Sequence, residues 1–172
     1  MGQRSIAKSV VAGGLLGGAL DLLFAVSFAA YNGAAPSRVF QAIASGLLGD
    51  AASSGGVCVD VLGIACHFGM SILWAGLFAL IAWRQPALAR RPILAGLVFG
   101  IVVFLTMRLV VLPLSAYPHP VTFKPLATVL DLLSHMFLFG TPIALVVSRA
   151  ILAQGSNNSF KPNTLRGGNL QR

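Results

Sequence analysis

The sequence contains little charge and almost no cysteine. Only 9% of its 172 residues are charged, glutamate is absent, and the acidic residues number four. Because a typical soluble domain carries about a quarter charged residues, an ordinary water-soluble domain is excluded. The two cysteines, Cys58 and Cys66, lie too far apart along a helix to pair with each other, and no CxxC motif is present. A disulfide scaffold is therefore excluded and a thiol oxidoreductase is disfavoured.

Long apolar runs account for most of the chain. The sequence is 56% hydrophobic with a mean hydropathy of +0.85. A helix needs about 20 mostly apolar residues to cross a bilayer, and four windows qualify. None alternates with period two, so we predict helices rather than a membrane barrel. The fold class expected is all-α: a polytopic four-transmembrane-helix bundle in one domain over residues 1–152, followed by a disordered cytoplasmic tail over 153–172. The predicted spans are residues 10–31, 57–83, 93–114 and 126–148.

The basic residues predict the orientation. Twelve Lys and Arg outnumber four Asp, and nine of the twelve flank one side of the spans. Cytoplasmic loops carry such an excess, so both termini should be cytoplasmic, with loops 32–56 and 115–125 outside. The basic excess is thereby explained without a nucleic-acid partner. A cleaved signal peptide is the alternative for the first span, but the run is too long and contains Asp21. The nine residues are Arg4, Lys8, Arg84, Arg90, Arg91, Arg149, Lys161, Arg166 and Arg172.

The first outer loop has the pattern of a short amphipathic helix that begins at Pro36. Two placements are open: a helix that lies in the interface with its apolar face in lipid, which we favour, or a re-entrant lid over the outer mouth. The apolar face comprises Val39, Phe40, Ile43 and Leu47, and the polar face comprises Arg38, Gln41 and Ser45.

Glycines at a spacing of four predict close helix packing in the first and third spans. The same faces could join copies of the chain into a homo-oligomer. Pro142 interrupts the fourth span, as a hinge or as a tolerated kink. The packing glycines are Gly13, Gly14, Gly17, Gly18, Gly96 and Gly100.

Ionisable residues inside the spans are the candidate site. Each costs at least about 2.5–3.5 kcal/mol when ionised in hydrocarbon. At about 1.5 Å rise per residue, Asp21 lies at the centre of the bilayer and the others lie toward the outside. Two interpretations are open: a packed network in which Arg108 pairs with Asp131 or Asp21, or a wet cavity that exchanges protons or contacts a solute. The set comprises Asp21, Asp60, His67, Arg108, Asp131 and His135.

In several sequence segments the chain resembles a family of small uncharacterised bacterial membrane proteins with four spans. These segments include the outer-loop sequence QAIASGLLG over residues 41–49 and VVLPLS over 110–115. His67-Phe68 on the second span and GTPIA over 140–144 add to the set. The resemblance covers about residues 6–150, implies a location in the bacterial inner membrane, and implies no activity.

Three functions are compatible with these features. The first is a small proton-linked permease or channel, whose solute the sequence does not identify. The second is a non-catalytic structural or assembly subunit in the membrane. The third, more remote, is a redox protein with His67 and His135 as axial haem ligands. Since no nucleophile triad, P-loop or metal motif is present, we expect no enzyme activity, no metal and no cofactor.

Overall fold

The computed structural model describes residues 2–159, and the side chains of residues 6–156. The chain is helical, and no strand occurs between residues 2 and 159. Four stretches are long and apolar enough to cross a membrane, which confirms the predicted all-α bundle of four membrane helices. These four spans are Ile6–Tyr31, Gly56–Arg84, Pro92–Leu114 and Pro125–Ser156.

Proline and glycine mark several of the helix ends. Four of them start with proline, whose missing N–H needs no partner in a first turn. The predicted outer-loop helix is present as α2, and Gly49, with a φ of 59°, ends it. The α-helices are α1 (Gly2–Tyr31), α2 (Pro36–Leu48), α3 (Gly56–Arg84), α4 (Pro86–Arg90), α5 (Pro92–Thr106), α6 (Leu112–Leu114), α7 (Pro125–Ser134) and α8 (Thr141–Ser159), with a 3-10 helix at Gly49–Ser54.

The third and fourth spans each contain a π-helical turn, a feature that the sequence analysis missed. The turns cover Met107–Val111 and His135–Gly140. Each ends two residues before a proline, Pro113 or Pro142, which lacks an N–H for the regular pattern of helix hydrogen bonds. The hydroxyl of Thr141 donates to the Met136 carbonyl (2.8 Å), so the fourth span continues through Pro142 as helix. A hinge at Pro142 stays a prediction.

Close backbone contacts hold the spans together. A Cβ at Gly14 would lie 2.7 Å from Ile72 Cα, and one at Gly17 would lie 2.9 Å from the Phe139 carbonyl oxygen. A Cβ at Gly100 would clash with the His135 backbone. The predicted glycine faces are thus occupied by helices of the same chain, and homo-oligomerisation stays a prediction. The six glycines concerned are Gly13, Gly14, Gly17, Gly18, Gly96 and Gly100.

The two ends of the bundle differ. The end near α4 (the α4 end) is filled by an apolar core in which Phe99 contacts Trp74 and Phe78, at centroid distances of 6.2 and 5.1 Å. Large apolar side chains such as Leu23, 64% exposed, cover the outside of the spans. In a membrane protein these outward residues contact lipid.

Helix α2 lies at the opposite end (the α2 end) and packs onto the bundle. A Cβ at Gly63 of α3 would clash with the Phe40 carbonyl, and the Ala116 N–H donates to the Gly46 carbonyl (2.9 Å). Its apolar residues Val39 and Ile43 line cavities between the spans. The predicted faces are only partly reproduced: Val39 and Ile43 are half-buried, Leu47 of the apolar face is 66% exposed, and Ser45 of the predicted polar face is buried. The placement of α2, in the interface or as a lid, stays a prediction.

The last helix continues to Ser159, past the predicted end of the transmembrane domain at residue 152. Residues 160–172 of the predicted tail lie outside the described residues.

Candidate functional site

Asp21 lies in the middle of α1 and contacts the fourth span. The residue is only 8% exposed. The Ser134 hydroxyl donates to Asp21 Oδ1 at 2.6 Å, and His135 Nδ1 lies 3.7 Å from the same oxygen. Within the described side chains, no Lys or Arg pairs with this carboxylate. A carboxylate so buried and without a full cation is costly when ionised.

The tautomer of His135 follows from its neighbours. Nδ1 lies 2.9 Å from the Asp131 backbone oxygen and 3.3 Å from Asp131 Oδ1. Because a carbonyl only accepts, Nδ1 carries a hydrogen and donates it. Phe104 and Phe139 flank the ring at 5.6 and 5.9 Å. Nε2 has no hydrogen-bond partner among the side chains of residues 6–156, so it is available to a ligand or a proton.

His67 is fixed in the opposite tautomer. Its Nε2 lies 2.8 Å from the Gly18 carbonyl oxygen, so Nε2 donates and Nδ1 is left as an acceptor. The Ser71 hydroxyl donates to the His67 carbonyl at 2.7 Å. The bond between His67 and Gly18 ties α3 to α1 beside Asp21.

Arg108 and Asp131 form the second part of the cluster. Arg108 Nη2 and Nε lie 2.9 and 3.3 Å from Asp131 Oδ2, and Nη1 donates to the Thr122 carbonyl (2.9 Å). The guanidinium also lies between the rings of Phe104 and Phe123, at 5.3 and 5.5 Å. This pair therefore joins the third span, the fourth span and the loop before α7, as the packed-network interpretation predicts.

Two cavities adjoin this cluster at the α2 end of the bundle. The larger has a volume of about 680 Å³ and mostly apolar walls, with Asp21, His67 and His135 among its lining. The smaller, about 350 Å³, shares these three residues and adds Arg108 and Asp131. Asp21 lines both cavities, and the wet-cavity interpretation of this part of the cluster stays a prediction.

The unused polar atoms of the Asp21 group are acceptors. Asp21 Oδ2, His67 Nδ1 and His135 Nε2 make no hydrogen bond to any residue whose side chain is described. The hydroxyls of Ser71 and Ser134 already donate within the protein. Such a site binds protons, or molecules that present N–H or O–H groups.

The structure brings five of the six predicted residues together, and the exception is Asp60. Asp60 lines neither cavity, and its Oδ1 is buried without a hydrogen-bond partner in the part of the chain that is described. Ser134 was not predicted, because a serine in an apolar span costs little free energy and is common. Its position beside His135 was the available signal. Trp74, which lines the larger cavity, carried no signal because aromatic residues are frequent in spans.

Metal and haem binding depend on how the His, Cys and Asp side chains are grouped. No three His, Cys, Asp or Glu residues are grouped to hold a metal ion within residues 2–159. His67 and His135 each keep one ring nitrogen free beside the larger cavity, so axial haem ligation stays a prediction that a Soret band would test.

Comparison with known proteins gives no match: no family model, no curated protein sequence and no solved structure is similar to this chain.

Proposed function

We propose that the protein is a small proton-linked permease or channel-like protein of the bacterial inner membrane. The observation that supports this most is the Asp21 carboxylate, which lines a cavity inside the bundle and has no Lys or Arg partner among the described residues. With both termini in the cytoplasm, as the basic flanks predict, the cavity lies in the outer half of the bilayer.

Asp21 carries the proton, because it is the aspartate of the cluster that has no Lys or Arg partner in the described part of the chain. Arg108 neutralises Asp131. Asp21 is left with a serine hydroxyl and a histidine. In a low-dielectric setting such a carboxylate is stable when it holds a proton or when a cation is close. Exchange between these two conditions is the chemistry that couples a proton to a solute.

The packing supports a site that is separated from the α4 end by the apolar core and lies beneath α2. The α4 end is closed by the apolar core around Phe78 and Phe99, whereas the α2 end contains the cavities. Passage across the membrane therefore requires the helices to part near the α4 end. The π turn that begins at His135 lies at the boundary between the two halves. Such turns often occur at functional sites in helices.

Proton flux in proteoliposomes tests the proposal. A pH-sensitive dye inside the vesicles reports proton entry along an imposed gradient, with valinomycin and potassium to dissipate the membrane potential. We expect flux above that of empty vesicles, its loss in Asp21→Asn, and its retention in Asp60→Asn, which alters a span aspartate that lines neither cavity. Equal flux in wild type and Asp21→Asn would contradict the proposal.

A structural or assembly subunit is the second candidate, and the Arg108–Asp131 pair favours it. That pair bonds to a loop carbonyl and packs between two phenylalanine rings, as a packing device does. This candidate predicts no flux above empty vesicles, and an Asp21→Asn protein that differs only in stability.

A further inference from the structure

The larger cavity reaches the side of the bundle. We propose that it binds an amphipathic amine, a molecule with an apolar body and a protonated nitrogen bearing N–H, and that this molecule enters from the lipid between α3 and the third span. The inference rests on the proposed function, of which it names the substrate class and the route.

The opening lies between two spans that meet only in one half of the bundle. Near the α4 end, Trp74 and Phe78 of α3 pack against Phe99 of α5. Toward α2, the same two spans are separated by the cavity, which Met70 of α3 and Met107 of the third span line from opposite sides. The aromatic contact is thus the floor of the gap.

The rim of the gap lies at membrane depth. Leu73 and Gly69 line the cavity and are exposed on the outside of the bundle, Leu73 by 65%. Leu73 lies near the middle of the second span, Gly56–Arg84. The surface there contacts lipid, so a molecule dissolved in the bilayer reaches the cavity directly. Helix α2 covers the cavity from above through Val39 and Ile43.

The chemistry of the two ends of the cavity defines the ligand. Most of the wall is apolar and fits a hydrocarbon or aromatic body. The polar end offers three acceptors: Asp21 Oδ2, His67 Nδ1 and His135 Nε2. The neighbouring serine hydroxyls are engaged as donors elsewhere. An ammonium group supplies a positive charge to pair with the Asp21 carboxylate, and it also supplies N–H donors for these three acceptors. A carboxylate or phosphate head would meet the like charge of the Asp21 carboxylate at this end of the cavity.

Tryptophan fluorescence measures this binding. The chain has two tryptophans, so Trp83→Phe leaves Trp74, which lines the cavity, as the only one. This variant, in nanodiscs of zwitterionic lipid, is titrated with dodecylamine, dodecyltrimethylammonium or dodecanoate. We expect a saturable change with dodecylamine, binding of the trimethylammonium probe about tenfold weaker because it has no N–H, and no saturable change with dodecanoate.

Two further variants locate the site. In the Trp83→Phe background, Asp21→Asn should weaken dodecylamine binding by about tenfold or more, whereas Asp60→Asn should leave it unchanged. Gly69→Phe should also block binding, because a Cβ at Gly69 meets open space at the rim and a phenyl ring can occupy the opening without disturbing the fold. Leu77→Phe, on an exposed part of α3 that does not line the cavity, is the control.

The outcomes separate this inference from the proposed function. Equal responses to the amine and the carboxylate, or binding unaffected by both Asp21→Asn and Gly69→Phe, overturn the amine site. If Asp21-dependent proton flux persists in that case, the proposed function stands and only the substrate class is wrong. Amine binding that depends on Asp21, without any proton flux, supports the site and contradicts the permease.

Discussion

The Ser134 hydroxyl lies 2.6 Å from Asp21 Oδ1, and this hydrogen bond joins α1 to the fourth span near the middle of the bundle. Ser134 is buried, with 3% exposure. The bond holds one carboxylate oxygen in place and leaves Oδ2 for the cavity.

Ser134→Ala should lower the free energy of unfolding by about 1.5–3 kcal/mol, since it leaves a buried carboxylate oxygen without its donor. Thermal unfolding in detergent, followed by circular dichroism, measures the change. Ser148→Ala is the matched control: the Ser148 hydroxyl is buried without a partner in the described structure, so its removal should be neutral or stabilising. Equal effects of the two variants would contradict the role given to Ser134.

Arg108→Met should destabilise the protein by about 1–3 kcal/mol, because it removes the cation from the partly buried Asp131 and the donor from the Thr122 carbonyl. The double variant Arg108→Met with Asp131→Leu should recover much of this loss, since neither charge is then left unpaired. A double-mutant cycle on the unfolding midpoints measures the coupling. Additive effects would show that the pair contributes nothing.

Gly100→Ala should strongly destabilise the bundle, because the added methyl would clash with the His135 and Met136 backbone. Gly69→Ala is the matched change on another span, where the new methyl meets open space. It should be neutral or stabilise the protein by about 0.5–1 kcal/mol through helix propensity. The unfolding midpoints of the two variants distinguish these effects. If Gly100→Ala left the midpoint unchanged, the third and fourth spans would not be in backbone contact.

The four spans were predictable because length and hydropathy alone identify a helix that crosses a bilayer. The start of α2 at Pro36 was predictable as well, from a proline at the first turn. The side of α2 that faces the bundle was not, since an apolar face fits lipid and protein equally well. Its burial depends on a gap between α3 and the third span, which is a property of the assembled bundle.

The ionisable residues of the candidate site were predictable except for Asp60, whereas Ser134 and the pairing of the charges were not. Charge in a membrane is expensive, which singled out Asp21, Arg108 and Asp131. Which aspartate pairs with Arg108 depends on the rotation of two helices about their axes. The π turn at Met107–Val111, which begins one residue before Arg108, contributes to that rotation. Sequence periodicity assumes a regular helix and therefore could not give it.

Gly63→Ala should displace α2, because the added methyl would clash with the Phe40 carbonyl. Cys66 lines the larger cavity under α2, so its reaction with a maleimide should accelerate, measured in a Cys58→Ser background. Gly76→Ala is the control, since a Cβ there lies 3.8 Å from Val10 Cγ1, an ordinary contact. An unchanged rate in Gly63→Ala would mean that α2 does not cover the cavity.

The proposed orientation predicts opposite labelling of two positions. In a chain whose cysteines at positions 58 and 66 are replaced by serine, a cysteine is introduced by Asp50→Cys in the first outer loop or by Arg91→Cys before the third span. A membrane-impermeant maleimide added to intact cells with a permeabilised outer membrane should label the first and not the second. The reverse pattern would place the termini and the α4 end outside.

Infrared difference spectroscopy of the reconstituted protein measures whether Asp21 exchanges a proton in the cavity. Spectra at two pH values report the carbonyl stretch of protonated carboxyl groups. If Asp21 exchanges a proton, a pH-dependent band appears that Asp21→Asn removes and Asp60→Asn retains. A difference spectrum identical in wild type and Asp21→Asn would mean that this carboxyl group does not change protonation, and would contradict the account.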